Sequence, residues 1–112
     1  MKWKKSSEND ERIIDKSDWT LIDNYQELKE SSGVYVFIND DMDVKYIGKA
    51  GKRRMVLEHI QVFEIYSALC RGKDDGASKV KALFTNNNEN ALSLERDLIH
   101  EYSPQNNIYL KD

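Results

Sequence analysis

The stretch Gly33-Val34-Tyr35-Val36-Phe37-Ile38-Asn39-Asp40-Asp41-Met42-Asp43-Val44-Lys45-Tyr46-Ile47-Gly48-Lys49 decides how this chain folds. Val34 to Asn39 is β-branched and aromatic almost without a break, and Val44 to Ile47 repeats the pattern, so both read as buried strands. Asn39 to Asp43 between them has the residue types that reverse a chain, which predicts an antiparallel hairpin. Tyr35 lies in the first strand and Tyr46 in its partner, with ten residues between them. A hairpin with a short loop can bring the two phenols together. Two strand tyrosines packing against a helix would show the same local pattern.

On the N-terminal side, residues 1–17 are mostly charged and polar and read as a flexible leader, leaving 18–112 as one domain. Asp18 to Glu30 carries apolar residues at 19, 21, 22, 25 and 28, which predicts a short helix with Asp23 or Asn24 as its cap. On the C-terminal side, a helical spacing of apolar residues runs from about Lys52 to Arg71, and Gly72 ends it. Val80 to Thr85 reads as a third strand. A helix is expected from about Glu89 to Tyr102, capped by Asn88 and stopped at Ser103-Pro104. The sum is an α+β class: a small three-stranded, mostly antiparallel sheet flanked by helices.

The 112 residues, 39% apolar and 33% charged, suit one globular core. Cys70 is the only cysteine, so an internal disulfide is excluded, and a reducing compartment fits. There is no secretory signal and no apolar run near the roughly 20 residues that span a bilayer, so the expected location is cytoplasmic with no membrane partner. The net charge of -3 opposes nucleic acid on its face, but its distribution does not. Residues 45–59 hold five cations and one anion, and residues 71–81 hold four cations and two anions. Because charges more than about 8 Å apart are largely screened at physiological salt, a local basic face can meet phosphates on a mildly acidic protein.

Zinc-finger spacing, a glycine-rich phosphate loop and a serine-hydrolase signature are all missing from the sequence. What remains is the tyrosine pair, the run Lys49-Ala50-Gly51-Lys52-Arg53-Arg54, and Glu95 at the edge of the apolar stripe of the last helix. A carboxylate so placed is either a capping or ion-pair residue, or a metal ligand at the rim of a cleft. Arginines near a helix start oppose the helix dipole, which hints at an anionic partner.

In this order the features resemble the GIY-YIG nuclease superfamily: Gly33-Val34-Tyr35, ten residues, Tyr46-Ile47-Gly48, then Lys49-Ala50, an arginine, a glutamate and an asparagine. Glu95 is followed by Pro104 and Asn107 within Leu94 to Asn107, a spacing similar to the N-terminal incision domain of the bacterial excinuclease C subunit. The resemblance covers about residues 28–112. One departure is visible: Arg54 is six residues after Gly48, closer than in many members, and a loop shortened around Gly51 would bring it to the arginine position. Arg53 competes for that place. His59 falls five past Arg54, off the helix face where some members carry a histidine.

The resemblance implies a metal-dependent endonuclease that hydrolyses phosphodiester bonds of nucleic acid, with DNA as the expected substrate in repair or restriction. It implies Tyr35 as general base or water orienter, Tyr46 as its partner at the phosphate, and Arg54 as the cation that stabilises the phosphate. Glu95 would be the ligand of one Mg²⁺ or Mn²⁺, and Asn107 a hydrogen-bonding support. Gly48 closes the second motif. Lys49, Lys52, Arg53 and Lys79 are the expected nucleic-acid contacts. A protein partner or a homodimer would supply targeting. The rival reading is a non-catalytic nucleic-acid-binding module of the same fold, and a third is a structural or regulatory protein.

Overall fold

A computed structural model describes residues 1–28, 31–50, 76–104 and 107. The helix expected over Lys52 to Arg71 lies outside the described residues, as do Lys52, Arg53, Arg54, His59 and Cys70. The hairpin forms as its residues require. β3 (Gly33–Ile38) and β4 (Val44–Ala50) pair antiparallel, and β5 (Lys79–Thr85) pairs antiparallel with the other side of β3. Asn39 makes the turn: its Oδ1 accepts from the amides of Asp41 at 3.0 Å and Asp43 at 2.9 Å. Met42 takes the left-handed conformation with φ 69°.

Two short strands not foreseen in the sequence, β1 (Ile13–Lys16) and β2 (Thr20–Leu21), also pair antiparallel with β5. The sheet therefore has five strands in the order β1-β5-β3-β4, with β2 continuing β1 alongside β5. Ser17 bridges the two, since its amide donates to the Ala82 carbonyl and its hydroxyl accepts from the Ala82 amide, both at 2.9 Å. The short helix expected after Asp18 is a 3-10 turn over Ile22–Glu27. Asn24 leaves helical geometry inside it, and neither Asp23 nor Asn24 acts as its cap.

α1 (Asn88–Tyr102) follows β5 directly. Its cap is Asn87 rather than Asn88: the Asn87 Oδ1 accepts from the Asn90 amide at 2.8 Å. At the other end Ser103, in the left-handed conformation ahead of Pro104, donates its amide to Ile99 at 2.7 Å and closes the helix.

The sheet divides the core in two. α1 covers one face, where Leu94, Leu98, Ile99 and Tyr102 pack on Val34, Val36, Ile38, Val44, Ile47 and Leu83. On the opposite face Tyr35, Phe37, Tyr46, Val80, Ala82 and Phe84 cluster with Ile22 from the 3-10 turn. The segment read as a leader packs onto the α1 face. Trp3 is buried there, stacked on Tyr102 with ring centroids 5.0 Å apart and edge-on to Trp19 at 6.3 Å. Polarity misled the sequence reading, because its charges pair with one another and with the sheet. Buried Glu8 accepts from the Trp3 indole at 2.8 Å and meets Lys16 at 3.0 Å and Lys81 at 2.9 Å. Arg12 is held by Asp10 at 2.7 Å and Asp97 of α1 at 2.9 Å.

Burial alone would push the Glu8 carboxyl up, but the hydrogen bonds from Trp3, Lys81 and Lys16 outweigh it and lower it from 4.5 to about 2. A depressed carboxylate contributes stability that is complete above its unfolded value and vanishes as the pH falls through its folded one. The contribution of Glu8 is thus full above about pH 5 and lost toward about pH 2. Glu8→Gln is expected to lower stability by about 3 kcal/mol near neutrality. Denaturant titrations of both proteins across the pH range should show that gap closing toward acid. A gap independent of pH would rule out an ionised Glu8 as its source.

Candidate active site

The first glycine of the hairpin is there for space. Gly33 lies between Ala50 and Phe84 in the sheet, and a Cβ at this position would stand 2.5 Å from the Leu83 carbonyl oxygen. Any side chain would therefore push β5 from β3, at the end of the sheet where β4 leaves and α1 begins.

The second strand contains an irregularity that sets the tyrosine geometry. Phe37 pairs with Tyr46, but Ile38 pairs with Val44, so Lys45 is an extra residue, a β-bulge. In a regular strand Val44 and Tyr46 would share a face. The bulge breaks that alternation, so Val44 reaches the α1 face while Tyr46 joins Tyr35 on the other. Tyr35 pairs with Gly48, one step along from the Phe37–Tyr46 pair, which makes the two tyrosines diagonal neighbours on adjacent strands. Both are buried, and the Tyr46 ring lies 5.8 Å from that of Phe37.

Asn107 fastens this motif from outside. Its Oδ1 accepts from the Ile47 amide and its Nδ2 donates to the Ile47 carbonyl, each at 2.9 Å. The side-chain amide thus acts as one peptide unit of an additional strand on the free edge of β4, between Tyr46 and Gly48. Asn107 is fully buried. The support role assigned to it from sequence therefore goes to the strand backbone.

Lys49 and Glu95 approach the same strand from the α1 side. Lys49 pairs with Val34, whose side chain faces α1, and its Nζ donates to the Asn88 Oδ1 at 3.1 Å. Asn88 and Glu95 are seven residues apart, two helical turns, so they share one helix face about 10 Å apart along the axis. Glu95 is buried at 8% exposure between Leu94 and Leu98. Asn88 was missed in the sequence as a site residue, although its two-turn offset from Glu95 was there to be read.

Four of the residues singled out in the sequence thus surround one edge strand. Tyr35 and Tyr46 share the face away from α1, Asn107 holds the free edge, and Lys49 is tied to the first turn of α1. Glu95 lies on the same helix face as the residue that holds Lys49. Lys79 is not part of this group: it starts β5 opposite Ile38 and Leu21, at the hairpin-turn end of the sheet. Among the described residues no group of three or more His, Cys, Asp or Glu converges as a metal cage. A single buried carboxylate suits a hard cation that keeps most of its waters, and does not suit a protein-enclosed ion. Among the described residues no helix is long and apolar enough to cross a membrane.

A profile described as a UvrC-like GIY-YIG domain matches residues 31–108, which contain both tyrosine motifs, Glu95 and Asn107. The chain is also similar to proteins named UvrABC system protein C. That of Carboxydothermus hydrogenoformans is 33% identical over 94 residues, covering 83% of this chain and 16% of the relative. That of Wolbachia pipientis subsp. Culex pipiens is 39% identical over 83 residues, covering 74% of this chain and 14% of the relative. That of Methanosphaera stadtmanae is 36% identical over 90 residues, covering 77% and 15%. The chain therefore spans about a sixth of the length of these relatives. With the motif strands paired and the profile covering well over half of its length, this chain belongs to the GIY-YIG family and carries a UvrC-like GIY-YIG domain.

Proposed function

We propose that the chain is an endonuclease that hydrolyses phosphodiester bonds of nucleic acid, DNA above all, with its working centre around β4. The observation that carries this reading is the pair Tyr35 and Tyr46, buried in one cluster on adjacent strands beside a backbone that Asn107 locks in place. Membership of the GIY-YIG family supports it.

In this reading Tyr35 takes or orients the proton of the attacking water, and Tyr46 shares that proton or holds the phosphate. A phenol titrates near 10 when unperturbed, so cations must stand close for it to act as a base near neutrality. Arg54 supplies one of them as a fixed guanidinium fork on the phosphate oxygens. Lys49, held by Asn88, contacts the phosphate backbone, as do Lys52, Arg53 and Lys79. Glu95 would hold one Mg²⁺ or Mn²⁺, which when bound supplies positive charge to the phosphate and the departing oxygen. Asn107 keeps the Tyr46-Ile47-Gly48 backbone in register. Because the relatives named for the UvrABC system are about five times as long, we also propose that a partner protein or a second copy provides targeting.

Cleavage of supercoiled plasmid by the wild type with Mg²⁺ or Mn²⁺, set against Glu95→Ala and an EDTA control, is the direct test. Nicking or linearisation that requires metal and falls by at least about 100-fold in the variant is expected, the scale of losing a group that stabilises developing charge. Cleavage that survives Glu95→Ala would remove the assignment, and salt-sensitive binding without cleavage would favour a binding module. Asn107→Ala should lower stability by about 1–3 kcal/mol, since it frees two Ile47 backbone groups. Its kcat should fall more than its KM changes, because it loosens the strand that carries Tyr46. An unchanged kcat at full folding would separate Asn107 from the site.

A further inference from the structure

The cations on this sheet are mostly committed to other groups. Lys16 and Lys81 meet Glu8, Lys2 lies 3.6 Å from Asp43, and Lys49 donates to Asn88. Lys45 and Lys79 differ: among the described residues no carboxylate or hydrogen-bond acceptor is paired with either ammonium group. Lys45 is also the extra residue of the β4 bulge, half-buried between Val44, which turns to α1, and Tyr46, which turns to the tyrosine face. Bulges on edge strands re-aim side chains, and a lysine can lay its stem along apolar neighbours while its charge reaches water.

Lys45 and Lys49 stand on the two sides of Tyr46 along the free-edged strand, about 10–13 Å apart by strand rise. That is roughly three to four nucleotide steps along a duplex axis. The hairpin-turn side of Tyr46 otherwise carries Asp40, Asp41 and Asp43, with Lys2 facing Asp43. Lys45, like Lys79 at the same end of the sheet, has its charge uncommitted, and Lys45 is the one whose backbone is next to the tyrosine.

We propose that Lys45 is a phosphate-backbone contact for the nucleic-acid strand lying along β4, flanking Tyr46 on the side away from Lys49. The proposal rests on the nucleic-acid reading above and adds a residue to its binding surface. Lys45 acts on binding and leaves the chemical step alone. It reads no sequence, since a lysine on a phosphate positions the strand only.

The test is fluorescence anisotropy with a short labelled DNA duplex, for wild type, Lys45→Ala, Lys45→Arg and Lys5→Ala across a salt series. Loss of one phosphate contact makes the slope of log binding constant against log salt shallower by about 0.9. The advantage of wild type over Lys45→Ala should therefore shrink about 3.5-fold between roughly 50 and roughly 200 mM salt. Lys45→Arg should restore the slope. Lys5→Ala, an equal loss of charge at an exposed position of the turn Lys5–Asn9, should leave it unchanged. Melting temperatures should match throughout. A Lys45→Ala slope equal to wild type overturns the proposal while the nucleic-acid reading stands, and so does an equal loss in Lys5→Ala. Wild type that shows no salt-sensitive binding overturns that reading and the proposal together.

Discussion

Among the described residues the strand that carries the second tyrosine motif lies at the edge of its sheet, and single groups satisfy part of its outward backbone. An uncovered edge invites pairing with other chains. The chain resolves this with two local devices. Met1 accepts from the Val44 amide at 2.9 Å and Trp3 donates to the Met42 carbonyl at 2.8 Å, which closes the hairpin end. Asn107 closes the middle with one side chain. Both devices hold the segment around Tyr46 in register.

The other edge is handled differently. β1 has its own bulge between Ile13 and Asp15, and it is only four residues long, so it offers little template for a further strand. The N-terminal segment that supplies β1 lies outside residues 31–108, where the family profile matches, yet it places Trp3 in the α1-side core and Glu8 between Lys16 and Lys81. Lys81 also stands 5.3 Å from the centre of the Trp19 ring. One buried carboxylate thus joins the turn Lys5–Asn9 to β1 and β5, and the aromatic stack on Tyr102 joins the same segment to α1. The sheet is held on its far side by charge pairing.

The elements readable in the sequence were those whose signal is local. Unbroken β-branched runs around an Asn-Asp turn specified the hairpin, and the stripe through Ala91, Leu94 and Leu98 specified α1. What was not readable depends on partners distant in sequence. The reversal of face at Lys45 exists because Val44 has a place in the α1-side core, and no local pattern announces it. The polar N-terminus looked mobile because its charges were counted as solvated, when Glu8 finds Lys81 more than seventy residues away. The cap moved from Asn88 to Asn87 because Asn88 is engaged with Lys49. Of the candidate site, residue identities were visible in the family resemblance. The division of labour around β4, with Asn107 on the backbone and Asn88 on the lysine, was not.

The net charge of -3 looks awkward beside the proposed contact with phosphates, and the ion pairs show why it is a poor guide. Glu8 is enclosed by two lysines, Asp10 and Asp97 share Arg12, and Asp43 faces Lys2. These pairs lie at the N-terminal segment, the outer side of α1 and the hairpin turn. An ion pair has almost no field beyond its own length once solvent screening acts, roughly 8 Å at physiological salt. A phosphate near Tyr46 would therefore respond to the few uncommitted cations within that distance, and hardly at all to the sum over the chain. On the proposed reading, local charge at β4, set by which lysines have structural duties and which do not, matters more than the net charge.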